Sequence, residues 1–79
     1  MIHQFEVETT AMTGKDTSET SIDSSHDTLA QAVAWMYQNG RVNASGYSNS
    51  VIREVEYTNR ANVKVLRTMR IHPEGVKPV

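Results

Sequence analysis

Leu29, Ala32, Val33, Met36 and Tyr37 recur at the spacing i, i+3, i+4, i+7 and i+8, which is the apolar stripe of a helix laid on a core. Ser24, Ser25 or Asp27 can cap its start, where an acid also suits the positive end of the helix dipole. Gly40 after Asn39 supplies the usual stop, so the spacing predicts a helix from Thr28 to Asn39. Gln31, Ala34, Trp35 and Gln38 fall toward its other side, which places Trp35 at the rim of the core or in solvent. One amphipathic helix buries its stripe only against a second layer, and the flanking segments supply that layer as strands.

From His3 to Thr9, Phe5 and Val7 alternate with Gln4, Glu6 and Glu8, the period of a half-buried strand. Residues 9–28 are rich in Ser and Thr and fit either a linker or the return arm of a hairpin. With Gly14-Lys15 as a two-residue loop, the return arm runs Thr17 to Asp23 and sets Val7 opposite Ile22, Thr9 opposite Thr20, and Glu6 opposite Asp23. Residues 41–50 have loop composition around Tyr47. From Val51 the chain alternates again, with Val51, Val55 and Tyr57 on one face and Glu54 and Glu56 on the other. Asn59-Arg60-Ala61 reads as a turn. A last strand, Val63 to His72, puts Val63, Val65, Met69 and Ile71 opposite to Lys64, Leu66, Thr68 and Arg70. A three-residue loop there pairs Glu56 with Lys64 but sets Arg53 against Arg67.

The expected fold is therefore α+β, an antiparallel sheet of three to four strands in the order ββαββ packed on one helix. Residues 1–72 form the single domain, and 73–79, opened by Pro73, form a flexible C-terminal tail. A chain of 79 residues has a small core, and zero cysteines exclude disulfides and thiolate metal sites as extra support. Self-association into a homodimer remains. The cysteine count suits a reducing compartment. Met1 to Glu6 lacks the basic and apolar regions of a signal peptide, and the longest apolar run, Ala32 to Tyr37, is far short of a membrane span. A cytoplasmic location in a bacterial host, with no membrane contact, is the expectation.

Charge is split along the chain. Residues 1–39 hold Glu6, Glu8, Asp16, Glu19, Asp23 and Asp27 against Lys15, a net of −5, while residues 40–79 hold seven bases against Glu54, Glu56 and Glu74, a net of +4. Such a division marks either an interaction surface or two halves that pair with each other in the fold.

The residues offer little to catalysis. His3, His26 and His72 stand far apart with no metal-ligand spacing, and no serine sits in a nucleophile turn or triad order. Glu6 with Glu8, and Glu54 with Glu56, share strand faces in the manner of a solvated sheet. The four glycines are isolated, so no phosphate loop is present. Neither enzyme activity, nor a cofactor, nor a metal site is expected.

Binding is what remains. Arg53, Lys64, Arg67 and Arg70 line the last hairpin, with Tyr47 and Trp35 as aromatic anchors of the types enriched at interface hot spots. A protein partner is the first reading. The alternative is a nucleic-acid-binding domain whose basic hairpin, carrying Arg53, Arg60, Lys64, Arg67 and Arg70 with Tyr57 among them, tracks phosphates, although the slightly acidic chain, net −1, differs from most such domains.

The hairpin–helix–hairpin order over residues 3–71, with the Ala-rich helix Thr28-Leu29-Ala30-Gln31-Ala32-Val33-Ala34 behind a Ser/Asp cap, resembles small phage-encoded anti-CRISPR proteins. The resemblance is one of layout. It implies a stoichiometric inhibitor that binds the Cas subunits of a type I surveillance complex and blocks its DNA-binding surface.

Overall fold

The structure, a computed structural model, describes residues 1–79. Five strands and one helix follow in the order β1 (Ile2–Met12), β2 (Ser18–His26), α1 (Leu29–Gln38), β3 (Val51–Tyr57), β4 (Lys64–His72) and β5 (Gly75–Pro78). All five strands join one antiparallel sheet in the order β2-β1-β3-β4-β5. No helix is long and apolar enough to cross a membrane. The α+β class and the antiparallel sheet agree with the sequence reading, while the strand count is five rather than three to four.

The fifth strand corrects the expectation of a flexible tail. Pro73 does end β4, because proline cannot donate to the ladder. Its fixed φ also suits the start of a tight turn, so Pro73-Glu74 reverses the chain and His72 pairs with Gly75, Ile71 with Val76, and Met69 with Pro78. Gly75, at φ 132, takes a conformation closed to other residues. Pro78 sits on the outermost strand, where a missing donor is harmless.

Two β-bulges set which side chains face the core. In the first hairpin the loop is Thr13–Thr17, closed by Thr13 N donating to Thr17 O at 3.1 Å, not the two residues Gly14-Lys15. The longer loop pairs Glu8 with Ile22, and a bulge that leaves Asp23 extra pairs Val7 with Ser24. Val7 and Ile22 therefore lie on opposite faces, and the expected contact between them is absent. In the second hairpin Glu56 does face Lys64, but Leu66 is extra in β4, so that Glu54 meets Arg67 and Arg53 meets Thr68. The bulge removes the Arg53–Arg67 clash and turns Val65 away from Met69 and Ile71.

The helix packs on one face of the sheet. Thr28 is its N-cap, with a capping box to Gln31 in which Gln31 N donates to Thr28 Oγ1 at 3.2 Å. Ser24 and Ser25 lie in β2 and cap nothing, because the strand runs on to His26. Ala32 and Met36 are fully buried against Phe5, Val7, Ile52, Met69 and Ile71, with Leu29, Val33, Trp35 and Val42 at the margin. Tyr37, read as part of the stripe, is 59% exposed. Both Trp35 and Tyr37 lie one step around the helix from Met36, and the fold turns Trp35 inward, where it meets the His26 ring at 6.1 Å and the Arg41 guanidinium at 5.4 Å.

The segment 41–50 closes the core beside β4. Ser48 N donates to Ile71 O at 3.0 Å, and Ser48 Oγ accepts from Ile71 N at 3.1 Å. Gly46, at φ 88, lies so close to Pro73 that an added Cβ would stand 3.2 Å from its ring. Gly46→Ala should therefore lower stability by roughly 1–2 kcal/mol, the ordinary cost of a left-handed non-glycine residue, read as a fall in the thermal midpoint.

Candidate interaction surface

Paired residues of neighbouring strands share a face, so the registers sort every side chain. Phe5, Val7, Ile52, Met69 and Ile71 face the helix. Ile2, Gln4, Glu6 and Glu8 of β1, Val51, Arg53, Val55 and Tyr57 of β3, and Thr68 and Arg70 of β4 face the other way, and no element of the chain covers them. Even so, Val55 is fully buried and Glu6 only 2% exposed on this open side.

Long side chains of the sheet itself do the covering. Arg60, in the β3–β4 turn, folds back so that its Nη1 donates to Glu6 Oε2 at 2.8 Å while its guanidinium lies 4.8 Å from the centre of the Tyr57 ring. The hydrogen bond to Glu6, and then the contact with Tyr57, raise the Arg60 pKa above its ordinary value. Tyr57 OH donates to Gln4 Oε1 at 3.0 Å, and Arg53 pairs with Glu8. The result is a ladder of acceptors on β1 met by donors from β3 and from the β3–β4 turn. Arg70 takes part in none of the six ion pairs and stands exposed beside it.

These contacts account for most of the charge division. Glu6–Arg60, Glu8–Arg53 and Asp23–Arg41 each join an acid of the first half to a base of the second. Strand order explains it, since β1 and β3 are neighbours.

The six residues singled out from sequence do not gather in one place. Arg53 and Arg70 are on the open face. Lys64 and Arg67 are on the helix face, beyond the helix. Tyr47 stands on the loop at 42% exposure, its ring edge-on to His72 at 5.1 Å, and Trp35 is at the core margin. Arg67 Nε donates to Glu54 Oε1 at 2.5 Å, and His3 Nε2 lies 2.6 Å from Glu54 Oε2.

Arg67 chiefly, and His3 after it, hold the Glu54 carboxyl below its ordinary value of 4.5 against the opposing effect of burial. A depressed carboxylate stabilises the fold fully above its unfolded pKa, and that stability is lost as pH falls through the lowered folded value. Arg67→Ala should therefore remove part of the difference in thermal midpoint between pH 7 and pH 3, by lowering the midpoint mainly at pH 7.

Sequence reading passes over Glu6 as a site residue, and it places Arg60 and Tyr57 only in the basic hairpin of the nucleic-acid alternative, not beside the acids of β1. Alternation makes Glu6 and Glu8 a solvated pair, and nothing in β1 alone shows that β3 brings arginines onto them. The surface forms no pocket and gathers no group of three His, Cys, Asp or Glu side chains that could hold a metal ion. Comparison with protein families, with curated proteins and with solved structures returned no match.

Proposed function

We propose that the chain is a non-enzymatic protein-binding module, an inhibitor or accessory protein of phage or mobile-element type, and that it meets its partner with the open face of the sheet. The observation that carries this reading is the ladder of Arg53, Tyr57 and Arg60 on a sheet face that no other element covers, with Arg70 unpaired beside it. Arginine and tyrosine are the residue types that dominate interface energies, and here acceptors from β1 hold three of them in place, which reduces the ordering entropy lost on binding. Val65 and Leu66, 40% and 39% exposed at the bulge, add apolar area at the margin. The anti-CRISPR resemblance suggests the Cas subunits of a surveillance complex as the first partner to try.

Nucleic-acid binding through the β3–β4 hairpin finds less support. Its bases divide between two faces, and Arg53, Arg60 and Arg67 are already held by carboxylates. Capture from a host lysate with and without nuclease separates the two readings. Retention of one defined protein complex after nuclease, lost in Arg70→Glu, is the expected result. Nuclease-sensitive retention, with a steep salt dependence on random duplex, would favour the alternative.

A further inference from the structure

β2 is a free edge along its whole length, because the sheet order gives it β1 as its only neighbour. A free edge offers unpaired N–H and C=O groups to another strand, and proteins commonly blunt such edges with lysine, proline, brevity or a bulge. The opposite edge is four residues long and carries Lys77 and Pro78. β2 is nine residues long and contains no lysine, arginine or proline. Its one irregularity is the bulge at Asp23. Ile22, the midpoint and the single aliphatic side chain of the strand, is 44% exposed.

We infer that β2 pairs antiparallel with β2 of a second copy about a twofold axis through Ile22, joining two five-stranded sheets into one. The faces set the register. Thr20, Ile22 and Ser25 share the open face with Thr10, Glu8 and Glu6, while Glu19, Ser21, Ser24 and His26 share the helix face with Ala11, Thr9, Val7 and Phe5. With the axis at Ile22, like faces meet on both sides of it once the bulged residue is stepped over. Ile22 then lies opposite its own copy, Thr20 opposite Ser25, Ser21 opposite Ser24, and Glu19 opposite His26. No acid meets an acid in this arrangement. The bulged Asp23 is drawn to the helix side, where Thr9 Oγ1 donates to it at 2.6 Å and Arg41 Nε at 3.3 Å.

Such an interface is isologous, as a twofold dimer requires, and it covers Ile22. It leaves the ladder of Arg53, Tyr57 and Arg60 uncovered, so this inference stands apart from the protein-binding role. A domain of this size, without disulfides, gains stability from such pairing.

The chain contains no cysteine, so Ile22→Cys introduces one thiol. Residues directly opposite on antiparallel strands have Cα atoms about 4.5–5.5 Å apart, within reach of a disulfide. Mild oxidation of Ile22→Cys should give a covalent dimer, while Met12→Cys, at 70% exposure, should not. Sedimentation equilibrium of the unmodified chain should report twice the 8.9 kDa mass. Thr20→Lys with Ser25→Lys sets lysine against lysine at two symmetric places and should raise the dissociation midpoint at least about tenfold. Thr20→Lys with Ser25→Glu should restore it. A mass of 8.9 kDa up to about 1 mM chain, a range that captures even weak dimers, overturns the inference. So does a dimer whose dissociation midpoint Thr20→Lys with Ser25→Lys leaves unchanged and whose Ile22→Cys form gives no covalent link. The wild-type mass decides the first point even if a variant fails to fold.

Discussion

Truncating Met36 to alanine should remove about 2–5 kcal/mol of folding stability, measured as a fall in the urea midpoint at unchanged slope. Met36 is fully buried at the centre of the helix–sheet contact, surrounded by Phe5, Val7, Ile52, Met69 and Ile71. A chain of 79 residues, at roughly 0.05–0.15 kcal/mol per residue, holds only about 4–12 kcal/mol in all, so this one change takes a large share. The neighbouring Tyr37→Ala, at 59% exposure, should stay within about 0.5 kcal/mol of wild type. Equal losses at the two positions would contradict the packing, because periodicity alone puts both residues in the same stripe.

Deleting residues 75–79 should be the second large effect. The deletion strips β5 from β4 and uncovers the outer side of Met69 and Ile71, 3% and 1% exposed in the intact chain. It also removes the bond from Val79 N to Thr68 O at 2.9 Å. With each ladder hydrogen bond worth about 0.5–1.5 kcal/mol net, the shortened chain should lose at least about 2 kcal/mol. A C-terminal segment outside the fold would cost nothing, so a truncation with an unchanged urea midpoint would return residues 75–79 to the status of a tail.

The helix and the existence of the long strands were legible because their signals are local. A stripe of period 3.6 and an alternation of period two need no knowledge of neighbours. Thr28 was harder to recognise as the cap, since Ser24, Ser25 and Asp27 compete with it in sequence. The capping box with Gln31 decides the point. Register was not legible, because each bulge adds a residue that alternation cannot reveal. Asp23 and Leu66 are such residues, and each reverses the face of everything beyond it. β5 was hidden by reading Pro73 as a stop when it serves as the corner of a turn.

The open face was illegible for a related reason. Glu6 and Glu8 are far from Arg53 and Arg60 in sequence, and only the placement of β3 beside β1 brings them together. Composition showed the imbalance of charge between the halves. It could not show that the fold uses that imbalance for internal pairing, leaving Arg70 on the open face without a carboxylate.

The most direct test of the central claim is site-specific photo-crosslinking in host lysate. A photoreactive residue placed at Thr68, in the middle of the open face, is compared with one at Ala34, on the exposed side of the helix. The expected result is a discrete protein adduct from position 68 that survives nuclease and is absent from position 34. An adduct confined to position 34, or one that disappears with nuclease, would contradict the assignment of the open sheet face as a protein-binding surface.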